Sequence, residues 1–226
     1  MDSERRYYIL PEQIDKRITR ILEKFEEIRG CTSCMNEDLN WTAPMSEKKV
    51  AAYEKKKGIR LPEEYRRFIT SIGANGNKLF YGIAHLDMQK KEGCIPENPF
   101  PFTLDNFPLF LYMTEEELDN FDYDAACSGF LYLNTEGCGM DSILVVNSTD
   151  PSVYGTVWFF DFANDFGTLP MRDKKTNKPF SFLDWLEYWA EREATDGDGF
   201  TFADTAPVPP PPDNPDITGR KMGWIK

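Results

Sequence analysis

Cys31 and Cys34 stand two residues apart, the spacing of half a zinc site. A structural zinc site needs four ligands, ordinarily as two close pairs. The remaining thiols, Cys94, Cys127 and Cys138, are scattered, and His85 is the only histidine. With no second close pair, Cys31 and Cys34 read better as two loop thiols, and neither a metal nor another cofactor is expected. His85 is also the only imidazole available to activate a nucleophile, and no Gly-x-Ser-x-Gly elbow lies near it. Gly137-Cys138-Gly139 resembles a fragment of a phosphate loop, but no helix pattern and no Lys follow it. It reads as a tight turn in which glycine takes positive φ. In Asp196-Gly197-Asp198-Gly199, a calcium loop would need its bidentate Glu where Pro207 stands. Asp161 and Asp165, beside Trp158, Phe159 and Phe160, could be drawn as the carboxylate pair of a glycosidase. Pairs of that kind arise readily in a chain with 38 acidic residues, and solvated surface acids are the better reading. No catalytic residue is assigned, and the chain is not expected to be an enzyme.

Charge is the stronger signal. The formal net charge is −12, and residues 92–171 contain no Lys, Arg or His against fourteen Asp and Glu. At the chain's average frequency, about nine Lys or Arg would fall there. Residues 1–113 are nearly balanced at +1, so the net charge lies in the C-terminal half. The densest cluster is Glu115, Glu116, Glu117, Asp119, Asp122 and Asp124. A helix N-terminus accounts for the first three, because carboxylates there offset the helix dipole. Buried strand sequence accounts for part of the missing cations. The rest points to a negative surface that meets a cationic partner, with Asp161 and Asp165 as further candidates on it. Such a balance excludes a phosphate-neutralising nucleic-acid binder and an anionic-membrane binder. With no export signal, no run of eighteen apolar residues and an odd, scattered cysteine count, a soluble cytoplasmic protein is expected.

The elements that must position these residues follow from periodicity and punctuation. Ile14, Ile18, Ile21, Leu22, Phe25 and Ile28 form one stripe of a helix over 11–29. Residues 31–45 read as a loop with Trp41 as an anchor. Ser46 caps a second helix that carries Val50 and Tyr53 and ends at Gly58. Pro62 is placed in the first turn of a third helix whose apolar face is Tyr65, Phe68, Ile69 and Ile72. A strand is expected over 78–84, an extended loop with four prolines over 92–108, and a short buried strand over 107–113. Thr114-Glu115-Glu116-Glu117 is a capping box that opens a short helix to about Phe121. Segments 129–134, 142–147 and 155–162 read as an antiparallel meander, because their connections are short. A final helix begins at Ser181, which precedes Asp184 by three in a second capping-box pattern, and turns Phe182, Trp185, Leu186 and Trp189 inward. Pro207-Val208-Pro209-Pro210-Pro211-Pro212 is a polyproline-type tail, flexible or draped on the surface. The expected class is α+β: N-terminal helices, a mostly antiparallel central sheet and a closing C-terminal helix.

Several of these segments together resemble one family. Tyr53-Glu54-x3-Gly58-Ile59-x-Leu61-Pro62-Glu63-Glu64-Tyr65-x2-Phe68 is similar to the opening signature of the SUKH superfamily, which includes the Smi/Knr cell-wall regulators. Gly137-Cys138-Gly139-Met140-Asp141 before Leu144-Val145-Val146, then Gly155-Thr156-Val157-Trp158, then Ser181-Phe182-x2-Trp185-Leu186-x2-Trp189, resemble its later elements in order. The break after the third helix reads Gly73-Ala74-Asn75-Gly76 where the family has Asn-Gly-Gly. The resemblance implies a core over 46–194, preceded by a helix-and-loop extension over 1–45 and followed by a Pro-rich tail over 195–226. It also implies a non-catalytic binding module. Most bacterial members are similar to immunity proteins that neutralise secreted toxins by occluding them, and eukaryotic members look like regulatory scaffolds. The expected partner is therefore a cognate protein toxin with a cationic surface, a nuclease being the class that an acidic face suits. A Smi/Knr-type interaction scaffold is the alternative.

Overall fold

The computed structural model describes residues 11–28, 41–73, 83–84, 86, 89, 94–196 and 205–226. Cys31, Cys34, His85, most of the strand expected over 78–84, residues 74–76 of the glycine-rich break and residues 197–199 lie outside that set. The described chain is α+β: helices, an antiparallel four-stranded sheet and a closing helix.

Helix α1 (Pro11–Ile28) buries Ile14, Ile18, Ile21 and Phe25, the expected stripe. Trp41 meets Phe25 and Phe68 edge-on, at 6.1 and 5.4 Å, and so anchors the chain before α2. Helix α2 (Glu47–Lys57) starts at Ser46, whose side chain accepts from the Lys49 N–H, and ends at Gly58 in the left-handed conformation. Helix α3 (Glu63–Ser71) buries Tyr65, Phe68 and Ile69. Pro62 is not in its first turn but one place earlier, at the cap, with extended ψ of 136°. It still leaves no amide hydrogen unsatisfied there.

Strands β1 (Phe130–Thr135), β2 (Asp141–Val145), β3 (Val157–Asp161) and β4 (Gly167–Pro170) pair in sequence order, all antiparallel. The meander is as expected for the first three. The fourth strand was not expected; Gly167-Thr168-Leu169-Pro170 shows no alternation and is a strand only because it pairs with Trp158–Asp161. Side chains alternate between two cores. Leu131, Leu133, Leu144, Val157 and Phe159 face the helices. Phe130, Ile143, Val145, Trp158 and Phe160 face the opposite way.

That second face is covered by the chain itself. The proline-punctuated segment 94–107 lays Cys94, Phe100, Phe102, Leu104 and Phe107 against it. Phe100 and Phe107 meet the Trp158 ring edge-on, at 5.0 and 5.8 Å. Trp158 donates its indole N–H to Thr156 Oγ1 at 2.8 Å, so its one polar atom is satisfied while its side chain is fully buried. At Gly129 (φ 78°), a Cβ would lie 2.1 Å from the Phe100 amide nitrogen, so only glycine lets the strap cross here.

The strand expected over 107–113 is instead one bridge, Leu109 to Gly167, followed by a 3₁₀ turn (Phe110–Tyr112). Pro108 has no N–H to extend a ladder. The turn aims Phe110 onto Phe162, stacked at 5.1 Å. Short helices α4 (Glu115–Asp119) and α5 (Tyr123–Ala126) follow.

Helix α6 (Phe182–Asp196) closes the first core with Phe182, Trp185, Leu186 and Trp189. Its capping box forms: Ser181 N–H donates to Asp184 Oδ2 at 3.0 Å and Asp184 N–H to Ser181 Oγ at 3.3 Å. Arg17 on α1 donates to Asp184 at 2.6 Å and to Glu187 at 2.9 and 3.1 Å, which fixes α1 across α6. The tail is draped over the surface. Tyr112 donates to Pro209 O at 2.7 Å, and α7 (Thr218–Lys221) sits on the 3₁₀ turn, with Thr218 N–H donating to Met113 O at 2.8 Å.

Because the second core is built around Trp158, Trp158→Ala is expected to destabilise the protein by about 3–5 kcal/mol. Urea unfolding followed by circular dichroism measures this; a loss under ~1 kcal/mol would show that the strap does not seal that face.

Candidate functional site

The acidic cluster occupies α4, α5 and the turns around them. Thr114 caps α4 and Glu117 returns the bond: Thr114 N–H and Oγ1–H donate to Glu117 Oε2 at 2.7 and 2.9 Å, and Glu117 N–H donates to Thr114 Oγ1 at 3.3 Å. These bonds hold the Glu117 carboxyl below its ordinary range and fix its direction. Asp122 is likewise spent locally, capping α5 by accepting from Ala125 N–H at 2.9 Å. Glu115, Glu116, Asp119 and Asp124 are exposed, as are the two capping acids Glu117 and Asp122. Lys221 on α7 approaches Glu115 at 3.7 Å, a surface pair of little energetic weight.

Two observations tie this segment to the sheet. Phe121 and Tyr123 both meet Phe162 edge-on, at 5.7 and 6.1 Å. Phe162 opens the β3–β4 turn that carries Asp165, so Asp165 joins the same edge, exposed and with φ of 57°. Tyr123 stays 48% exposed, an aromatic ring among carboxylates. The sequence signal for it is the alternation Phe121-Asp122-Tyr123-Asp124, which a count of charges alone passes over.

Asp161 is placed differently from the other candidates. It is 6% exposed and accepts from Asn164 N–H at 3.1 Å and Asn164 Nδ2 at 2.7 Å. Asn164 also donates to Cys138 O at 2.7 Å, so Asp161 organises the β3–β4 turn against the β1–β2 turn. In that second turn Gly137, Cys138 and Gly139 all have positive φ, as a tight turn there requires. Burial pushes the Asp161 carboxyl up, against the opposing pull of the Asn164 bonds.

Among the described residues no group of three or more His, Cys, Asp or Glu could hold a metal ion. Cys94 is buried, donates to Phe130 O at 2.6 Å, and burial pushes its thiol up to about 12. Burial and the nearby Asp124 raise Cys127 too. Neither thiol is poised as a nucleophile at neutral pH. No described helix is long and apolar enough to cross a membrane.

A family model matches residues 44–187, and the chain belongs to the SMI1 / KNR4 family (SUKH-1). The match runs from just before the Ser46 cap into α6, so α1 and the tail flank it. It agrees with the resemblance carried by the Leu61-Pro62-Glu63-Glu64-Tyr65 helix and the later strands. No curated protein and no solved structure matches the chain.

Asp161 also sets a pH dependence. A carboxyl whose folded-state pKa is raised weakens the folded state at pH values above it, and this load disappears once both states are protonated. Asp161→Asn keeps the acceptor for Asn164. It is expected to raise the melting temperature at pH 7 and to leave it unchanged near pH 3, below the ordinary Asp value of about 3.9. Equal shifts at both pH values in thermal melts would refute this reading.

Proposed function

We propose that this chain is a non-catalytic immunity protein that acts in the cytosol. In this reading its acidic edge covers the basic surface of a protein toxin domain, a nuclease being the class best suited to it. The observation that carries the proposal is the exposed group Glu115, Glu116, Asp119, Asp124 and Asp165 within an 80-residue stretch free of Lys, Arg and His. A one-signed field of this kind accelerates encounter with an oppositely charged partner and mimics the phosphates that a nuclease binds. Family membership supports the same direction, since bacterial proteins of this kind resemble toxin-neutralising inhibitors.

The test is co-expression with the secreted toxin domains encoded in adjoining genes. Glu115→Gln, Glu116→Gln, Asp119→Asn and Asp124→Asn are combined, sparing the capping Glu117 and Asp122. Wild type is expected to rescue growth, and the variant to bind about ten-fold more weakly or worse while melting normally. Rescue and affinity unaltered in the variant, or no toxin neutralised by the wild type, would overturn the proposal.

One observation favours the scaffold alternative. The C-terminal segment is docked on the 3₁₀ turn yet leaves Met222 and Trp224 60% exposed. A detached tail peptide that binds regulatory partners, beside a core that blocks no toxin, would select that reading.

A further inference from the structure

A groove of about 550 Å³ lies between the strap, α4 and the tail. Phe102, Phe107 and Tyr112 contribute aromatic surface to it, and Asp105 and Glu117 contribute carboxylates. Pro209 of the tail completes the wall and is held in place by the Tyr112 hydroxyl at 2.7 Å. Pro209 lies outside the family-matched residues, so this groove exists only where that flank folds back on the core.

We propose that this groove receives an arginine side chain of the partner protein, which names the contact through which the acidic edge would be recognised and so rests on the function proposed above. A guanidinium is flat, stacks on aromatic faces and pairs with carboxylates in a fixed fork. Aromatic and carboxylate side chains line the same concavity. The Glu117 carboxylate is fixed by side-chain bonds, and Asp105 is carried on an ordered turn. Glu117 is locked by the Thr114 cap through Oε2, and among the described residues no hydrogen bond reaches its Oε1. Asp105 sits in a turn closed by reciprocal backbone bonds between Thr103 and Asn106, at 3.0 and 3.2 Å, and is exposed. Among the described residues no cationic side chain lines the groove. Arg172 braces the strap by donating to Leu104 O at 2.8 Å and Asn177 O at 3.0 Å, and it is not part of the lining. The charge inside is therefore one-signed, and the complementary group is a cation with a planar face.

The experiment is NMR titration of the full ¹⁵N-labelled chain with Nα-acetyl-arginine-N-methylamide, with the isosteric but uncharged citrulline compound as control. The arginine compound is expected to give saturable shifts confined to residues 102–113 and 117, and the citrulline compound none. Asp105→Asn is expected to weaken binding about five-fold or more, and Glu27→Gln, exposed on α1 and outside the lining, to leave it unchanged. Shifts spread evenly over the acidic edge, no shift at all, or equal binding by Asp105→Asn would overturn the groove. Toxin rescue that depends on the exposed acids, without arginine binding here, would sink the groove and leave the immunity reading standing. Arginine binding without any toxin neutralised would do the reverse.

Discussion

The sheet is buried on both faces, and most of the molecule is arranged to satisfy that requirement. On one face the helices cover Leu131, Leu144, Val157 and Phe159; on the other, Trp158, Phe130 and Phe160 would meet water but for the strap 94–107. Each of those large side chains is worth about 1.5–3 kcal/mol when buried, so sealing the second face dominates what the middle of the chain must do. The strap reaches the sheet as an irregular segment, with isolated bridges such as Ile95 to Ser128 and Phe100 to Ser148 rather than a ladder. Prolines suit such a path, because they hold the chain extended without needing a hydrogen-bond partner.

The same constraint organises the charges. A segment that fills both sides of a sheet has little room for Lys or Arg, and burial accounts for part of their absence from 92–171. It does not account for fourteen acids in the same stretch. Most of those acids sit in turns and short helices around the sheet, and all six of the α4–α5 carboxylates end up exposed. The opposite sign sits on the helical side, where Arg17, Arg20 and Lys24 are engaged by Asp184, Glu187 and Glu191 across α1 and α6. Cations there hold the fold together, while in the proposed function the acids of the other edge face the partner. The flanks outside the family-matched residues contribute to both features: α1 supplies Arg17, and the tail supplies Pro209 and Lys221.

Local signals were legible in the sequence. Helices α1 to α3 and α6 announce themselves through 3.6-residue stripes and through Ser46, Gly58 and the Ser181/Asp184 box, whose effects act within one turn. Three strands were legible through their apolar runs and the turn residues between them. Strand β4 was not, because Gly167-Thr168-Leu169-Pro170 has no pattern of its own and owes its conformation to β3. The 3₁₀ turn at Phe110 reads as strand in sequence, since Phe107 to Leu111 is an apolar run whose bend depends on distant Phe162. The acidic cluster was visible by composition. The burial of Asp161 was not, because nothing in the residue type separates a solvated carboxylate from one that organises a turn. The groove was invisible too, because its walls come from segments about a hundred residues apart.

In the proposed function the exposed acids, rather than shape alone, bring the partner in. The most direct measurement is the association rate constant with a neutralised toxin domain, by stopped flow, as ionic strength rises from about 0.05 to about 0.5 M. Electrostatic capture predicts that kon falls about ten-fold or more while koff changes far less. A kon that stays flat across that range would contradict it.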